Sequence, residues 1–473
     1  MKKRILFISL AVVLALSVGL IGCNGGQQEE EEEEEEAPEY IEILAVRSLS
    51  GILSMYEQLA MGPCYKYWKH VVDAEGGIYV PEFDKTIPIH IEVKDDESDM
   101  ATMQTFLETN LATGDYNFVI GPSCTPHLQA AGAICSEYEV VLVGGEGGST
   151  SVAQEMDNYP YLFANLGFSD WYQMPMVCAI LDSWAAEETD GVVDVYVISM
   201  SDLFGVEYSG QLQTSAAEYT TINIIKIVDV ECGTTDVAAQ VEEASSLGAD
   251  VLFINNYPPS MHTAMGYAMA NNIDFKGIVT GPGACYEGWY DPAAEGFGPC
   301  VEGTCGYGAW NEYSSPELRE FTEGMIDYLG TRSVMDWWGG AYYYVGLDML
   351  GHAIAEADEY TAQSVRDVLA STKLDTILGE TYYTLYDGTR PLGNSGGLLA
   401  LACHPGEVGQ WQHVTEANGW LPDGVTGTAR EKPYGIPDDA TEWYIFEVID
   451  QNEKQTAPTI YPKPTWAELG CAS

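Results

Sequence analysis

Short apolar runs bounded by turn signals alternate with amphipathic stretches along most of this chain, and that rhythm restricts the fold more than any other feature. An apolar run too short for a helix, followed by a helix-length amphipathic segment, marks a βαβ unit, whose parallel strands need crossovers and are covered on both faces. Residues 41–46 predict a strand, 58–74 a helix, 87–93 a strand and 100–112 a helix, and 118–120 and 140–143 continue the series. A second series runs through a strand at 193–198, a helix at 211–218, a strand at 222–228, a helix at 237–247, a strand at 251–254 and a helix around 261–270. The expected class is α/β, with two consecutive doubly wound units. Helices at 341–357 and 362–372 are expected to return to the first unit. Beyond Gly379 the chain is rich in Gly and aromatic residues, and 456–466 is Pro-rich.

The N-terminus carries a different signal. Lys2-Lys3-Arg4 precedes an apolar run at 5–21 that closes on Leu20-Ile21-Gly22-Cys23, an order that resembles the lipobox of bacterial lipoproteins. The run is too short for a comfortable membrane span. Cys23 is the expected lipidation site, and the rest of the chain is expected to work outside the cytoplasm, tethered to a membrane through two or three acyl chains. The acidic block 29–36 repels itself and stays extended, which suits a tether.

The balance of 19 Lys and Arg against 72 Asp and Glu gives a net charge of −53. Such a surface repels phosphate backbones, which excludes nucleic acid as a partner and leaves neutral or cationic ones. A salt-adapted surface accounts for the charge equally well. Of the eleven cysteines, ten remain beside Cys23, and an exported chain permits disulfides among them. Cys300 and Cys305 form the best local pair, since Gly303 between them allows a tight turn, and Cys178 reads as a buried thiol in an apolar helix. There is no C-x-x-C and no His spaced to complete a zinc site, so neither metal nor cofactor is expected.

Leu49-Ser50-Gly51, Ala74-Glu75-Gly76-Gly77, Asp95-Asp96, Val119-Ile120-Gly121-Pro122, Asp202-Leu203-Phe204-Gly205 and the stretch 344–354 fall in one co-linear order. In that order and spacing the chain, over 41–414, resembles the leucine/isoleucine/valine-binding proteins that serve ABC importers. The resemblance implies a type I periplasmic-binding fold: two Rossmann-like lobes, a three-crossing hinge near Asn165, Gly306 and Asp375, and a ligand cleft between the lobes. The implied division is a signal peptide at 1–22, a tether at 23–39, lobe I from 40–165 plus 307–375, lobe II from 166–306 plus 376–445, and a Pro-rich tail at 446–473. The implied partners are a small-molecule ligand and an ABC permease.

The resemblance also implies ligand contacts. The turn Gly121-Pro122-Ser123-Cys124-Thr125 would offer backbone N–H groups and the Thr125 hydroxyl, with Ser123 beside it, to a ligand carboxylate, although Thr125 can equally cap its helix. In Gly144-Gly145-Glu146-Gly147-Gly148-Ser149-Thr150 the family's Thr corresponds to Gly148, so Ser149 or Thr150 substitutes. Glu146 would then be a carboxylate at the mouth of the cleft, which needs a cationic or hydrogen-bonding partner. Tyr56, Phe204 and Tyr257 occupy aromatic positions, and Trp337 and Trp338 could reach the cleft, with core packing the expected use of at least one of them. At Gly283 the family often carries the carboxylate that holds the ligand ammonium. An α-amino acid here would need Glu146 or Glu287 instead, and otherwise the ligand is an acid, amide or aromatic compound without an ammonium.

Two other readings remain. Gly393-Asn394-Ser395-Gly396-Gly397 fits G-x-S-x-G and is followed by His404 and His413, but the segment reads as a turn between strands rather than the strand-to-helix elbow a hydrolase needs. No catalysis is expected. A ligand-binding subunit for a membrane receptor uses the same fold and is the second alternative. Asp95-Asp96-Glu97-Ser98-Asp99 lacks the glycine and terminal Glu of a calcium loop and reads as a solvated turn.

Overall fold

The computed structural model describes residues 36–148, 151–152, 158–166, 169–281, 283–291, 294, 296–308, 310–383, 407–450 and 454–471. Cys23, Ser149, Thr150, Cys403, His404 and the 393–397 motif lie outside them. Pro38–Ser473 forms one unit, separate from Met1–Ala37.

Strand β1 (Ile41–Arg47) is the axis of the first sheet. Ile41, Ile43, Leu44, Ala45 and Val46 are buried on both faces, as a central parallel strand requires. It pairs in parallel with β2 (Ile89–Asp95) on one side and β3 (Phe118–Ile120) on the other, and β4 (Val141–Val143) and β5 (Leu162–Phe163) extend the sheet. The strand order is therefore β2-β1-β3-β4-β5.

The second sheet repeats this plan. Strands β6 (Val193–Met200), β7 (Ile222–Val230), β8 (Val251–Asn255), β9 (Gly277–Thr280) and β10 (Thr304–Tyr307) are parallel in the order β7-β6-β8-β9-β10. The chain returns late to add β11 (Val408–Thr415) antiparallel to β10, with β12 (Leu421–Pro422) and β13 (Glu442–Val448) both antiparallel to β11. The helix Gly340–Glu356 packs on the helix Met61–Ala74 of the first lobe, and Ala362–Ser371 packs beside it, the return expected from the sequence. These two parallel-sheet lobes make the α/β type I periplasmic-binding fold.

The Pro-rich end lies along the second lobe. Tyr461 stacks on Trp184 with ring centroids 4.7 Å apart, Trp184 Nε1 donates to Thr459 Oγ1 at 3.0 Å, and Trp466 Nε1 donates to the Ile273 carbonyl at 2.9 Å. A disulfide joins Cys300 to Cys471. This corrects the expected Cys300 to Cys305 pair: Cys305 lies in the buried strand β10 as a free thiol, and the residue that meets Cys300 is 171 positions away. Cys178 is a buried thiol, as expected.

Candidate functional site

In a doubly wound sheet the crossovers diverge at one point, and the crevice outside the carboxyl ends of the strands there is where ligands bind. Each lobe has such a switch point, between β1 and β3 in the first and between β6 and β8 in the second. The first is built around Arg47, the last residue of β1. Its guanidinium is fully buried and donates to the Gly121 carbonyl at 2.5 Å, to both carboxylate oxygens of Glu146 (Nη1 to Oε2 at 2.8 Å) and, through Nε, to Glu57 Oε2 at 3.1 Å. Burial disfavours the charged guanidinium, but Glu146 and Glu57 more than offset this and hold it protonated. Glu57 also accepts from the Tyr65 hydroxyl at 2.5 Å and from Lys66 at 3.3 Å.

Glu146 is therefore not a free carboxylate at the mouth of the cleft. It is buried and bidentate to Arg47, a geometry that keeps both partners ionised although burial raises the Glu146 carboxyl. Glu287, the other acid considered for a ligand ammonium, is also spent. It is fully buried in the second lobe and accepts from Arg332 Nε at 2.8 Å, Trp443 Nε1 at 2.7 Å and Trp337 Nε1 at 2.8 Å. Gly283 has φ +126°, and a Cβ there would lie 2.6 Å from Pro258 Cγ and 2.8 Å from Met261 Cε. No carboxylate fits at that position, because the second lobe's own packing occupies the space.

The remaining candidates converge. Tyr56, on the helix Ser54–Leu59 after β1, meets Tyr257, which follows β8 and precedes the helix Pro258–Ala270, edge to face at 5.8 Å between ring centroids. Phe204 stacks on Tyr257 at 6.1 Å, and the Tyr257 hydroxyl donates to Asp202 Oδ2 at 2.6 Å. The two switch points thus face each other through aromatic rings from opposite lobes. Thr125 opens the helix Thr125–Glu137, and its hydroxyl accepts from the Gly148 N–H at 3.1 Å, tying the turns after β3 and β4 together. Before it, Cys124 adopts φ +67° and ψ 158°, a conformation that L residues rarely take and that clusters at functional sites.

Six polar side-chain groups around this junction are buried and have no hydrogen-bond partner among the described residues: Tyr56 Oη, Ser123 Oγ, Asn256 Nδ2, Tyr286 Oη, Trp338 Nε1 and Tyr343 Oη. Burial raises both Tyr286 and Tyr343, and the charges of Asp336 and Glu146, with Tyr56, add to it in each case, so these groups share one neighbourhood. Trp338 meets Tyr307 edge to face at 6.4 Å, and Tyr307 donates to Asn255 Oδ1 at 2.8 Å at the end of β8. An unpaired buried polar group costs about 1–3 kcal/mol, so six cost roughly as much as the whole stability of an ordinary domain. Native interiors do not leave such a cluster without purpose. A separate cavity of about 620 Å³, lined by Trp310, Asp348, Asp375 and Lys454 among others, shares none of these six residues.

Sequence reasoning missed Arg47, Tyr286, Asp336 and Tyr343. A lone arginine ending an otherwise apolar strand was the available signal for the first. The rival chemistry is absent from this junction among the described residues: His413 lies on β11, between β10 and β13, with Nδ1 2.9 Å from Asp423 Oδ2 and Nε2 3.5 Å from Glu442 Oε2. Asp95 and Asp96 are not merely solvated. Asp96 is buried and accepts from Ser48 Oγ and Ser98 N, while Asp95 accepts from Leu49, Ser50 and Glu97.

No curated protein sequence matches the chain. Among solved structures, the leucine-binding protein LivK of Thermotoga maritima is similar at 16% identity and TM-score 0.60, covering 78% of this chain and 94% of that one. The branched-chain amino-acid binding protein LivJ of Streptococcus pneumoniae, solved with isoleucine, is similar at 15% identity and TM-score 0.60, covering 75% and 98%. A solute-binding protein of an ABC transporter from Rhodopseudomonas palustris, solved with 3,4-dihydroxybenzoic acid, is similar at 11% identity and TM-score 0.62, covering 90% and 98%. At these identities the likeness is one of fold. The family model for periplasmic binding proteins, a family of non-enzymatic solute binders, matches residues 41–392, and with paired lobes whose switch points meet as that fold demands, the chain belongs to the periplasmic binding protein family.

Proposed function

We propose that this protein is the solute receptor of an ABC importer, anchored outside the cytoplasm by lipid on Cys23 and carried on the acidic tether that follows. A small molecule binds between the lobes, and a permease in the same membrane receives it. The lobes divide as 40–165 plus 307–375 and 166–306 plus 376–445, with crossings near Asn165, Gly306 and Asp375, so that closure brings Tyr56 and Tyr257 to one ligand. The observation that carries this reading is the cluster of six buried polar groups without partners among the described residues, at the meeting point of two switch points. Leucine, isoleucine and dihydroxybenzoic acid, bound by proteins of this fold, are small carboxylic acids, so amino acids and aromatic acids are the ligand classes to test first. The carboxylate would lie at the turn Ser123–Thr125, and Tyr56, Phe204 and Tyr257 would wall the ligand; Ser149 stays a candidate on its sequence position alone.

The test is a thermal-shift screen of the chain from Tyr40 onward against amino acids, carboxylates, amides and aromatic acids, followed by calorimetry on Tyr257→Ala and Thr125→Ala. Unchanged affinity in both variants moves the site elsewhere. Labelled fatty acid should enter the full chain and not the Cys23→Ala variant, which should also leave the membrane fraction.

A further inference from the structure

The carboxylates around the junction can be sorted by what already holds them. Glu146 and Glu57 share Arg47, and Glu57 has Lys66 and Tyr65 besides. Asp202 caps the helix Leu203–Ala216 through the Gly205 N–H and accepts from Tyr257. Asp336 is different. It is buried, sits four residues before the helix Gly340–Glu356, and forms an isolated bridge with Tyr286. Its two oxygens accept one backbone N–H each, from Trp338 at 2.9 Å and from Gly339 at 3.0 Å. Among the described residues no Lys, Arg or His pairs with it, and no side chain donates to it. The Gly340 N–H also stabilises it, but an ionised carboxylate has about four acceptor sites and prefers a charged partner, so its capacity is not fully spent.

What surrounds it is suited to a cation. The Tyr286 and Tyr343 hydroxyls, both without partners among the described residues, lie within electrostatic reach of Asp336, as does Tyr56 of both tyrosines. The Tyr343 ring covers Gly339, where a Cβ would come within 2.4 Å of it. A carboxylate among aromatic faces and phenol oxygens binds an ammonium by charge, by hydrogen bonds and by cation–π attraction together. The junction holds Glu57, Glu146, Asp202 and Asp336 against Arg47 and the half-exposed Lys66, so a ligand bringing only negative charge would meet a surplus of its own sign.

We propose that Asp336 receives the cationic nitrogen of the ligand, with Tyr286 and Tyr343 beside it, and so replaces from the hinge-side segment the carboxylate that the second lobe cannot accommodate at Gly283. The inference rests on the solute-binding reading above and narrows it to ligands bearing an amine. The carboxyl end of such a ligand then points away from Asp336, toward the turn Ser123–Thr125.

The experiment compares matched pairs. Each of the common amino acids and its deaminated counterpart, for example leucine with 4-methylpentanoate, is screened by thermal shift on wild type, and the tightest pair is taken to calorimetry on wild type, Asp336→Asn and Tyr257→Ala. The expected result is that the amino member binds wild type at least tenfold tighter than its deaminated partner. Asp336→Asn should remove that preference by weakening the amino member, while the deaminated member binds as well as before or more tightly because one like charge is gone, and Tyr257→Ala should weaken both members. A role for Asp336 only in capping its helix would weaken both members equally and overturns the proposal. A deaminated acid that binds wild type as tightly as its amine, and is lost in Tyr257→Ala, also overturns it while leaving the solute-binding reading standing. Failure of both series to bind overturns the proposal and leaves the solute-binding reading to the wider screen described above. Should Asp336→Asn not fold, the wild-type comparison decides alone, and the double variant Tyr286→Phe, Tyr343→Phe must cut the amine preference several-fold.

Discussion

Arg47 and Glu146, 99 positions apart in sequence, are joined by two hydrogen bonds between guanidinium and carboxylate, with Nη1 2.8 Å from Oε2. The pair ties the end of the first strand to the turn after the fourth and closes the floor of the first lobe's switch point. Its role is structural, so breaking it should cost stability before it costs binding. Glu146→Gln should lose on the order of 3 kcal/mol in urea denaturation, because it leaves the Arg47 charge buried with one carboxylate instead of two. The double variant Arg47→Met, Glu146→Leu should recover most of the loss. A Glu146→Gln protein within about 0.5 kcal/mol of wild type contradicts this account.

Tyr56→Phe separates binding from folding. The hydroxyl it removes is buried and has no partner among the described residues, so the unliganded protein should keep its stability or gain up to about 1–3 kcal/mol. Affinity for the ligand should fall about tenfold, as for loss of one good hydrogen bond. Tyr257→Ala should cost on the order of one to several kcal/mol of affinity, because it removes a large ring that contacts both Tyr56 and Phe204. A Tyr56→Phe protein less stable than wild type would show that its hydroxyl is spent within the protein.

Asp336 makes stability depend on pH with a definite sign. Burial pushes its carboxyl from the ordinary 3.8 up to about 7, against the backbone N–H groups of Trp338 and Gly339, with Glu146 adding repulsion. Facing it are Tyr286, Tyr343 and Cys64, each raised well above its ordinary value and therefore neutral in this range. Between about pH 4 and pH 7 the native state holds a proton that the unfolded chain has released, so stability falls as pH rises through that window and levels off above it. Asp336→Asn should remove this slope, and the stability difference between variant and wild type should move by a few kcal/mol in the variant's favour from pH 5 to pH 8. An ammonium ligand, which needs Asp336 ionised, should bind more tightly at pH 8 than at pH 6. Parallel stability curves for the two proteins would refute the assignment.

The Cys300–Cys471 disulfide fastens the end of the described chain to the second lobe. Cys471→Ser should lower stability by about 2–5 kcal/mol. Hydrogen exchange should rise first across 454–471, where Trp466 and Tyr461 are held. Equal protection of that segment in both proteins would mean that its ring contacts suffice without the bond.

Much of this architecture was legible in the sequence because it is encoded locally. The buried strands β1, β6 and β8 announce themselves as apolar runs between turns, and Tyr56 and Tyr257 follow from where such runs stop. What could not be read depends on distance along the chain. The helix expected at 211–218 begins at Leu203, since the Asp202 cap outweighs the weak apolar period of its first turns. Cys305 looked like the partner of Cys300 because proximity in sequence was the only available guide. Glu146 looked like a ligand residue because nothing near it in sequence reveals Arg47. Asp336 went unnoticed for the same reason: its meaning comes from Tyr286 and Tyr343, which the fold brings to it.

The antiparallel addition of β11 to β10 has a consequence for how the protein is made. Strands β6 to β10 end at Tyr307, and the strand that covers the β10 edge begins at Val408. At a synthesis rate of about 5–20 residues per second, the hundred intervening residues leave that edge uncovered for roughly 5–20 s. During this interval the nascent second lobe presents an unpaired row of backbone donors and acceptors, the kind of surface that recruits a foreign strand. The first lobe's sheet is complete by Phe163, although its covering helices at Gly340–Glu356 and Ala362–Ser371 are made only later. Biogenesis of this molecule thus has its most vulnerable moment between the tenth strand and the eleventh, where a chaperone has the most to protect.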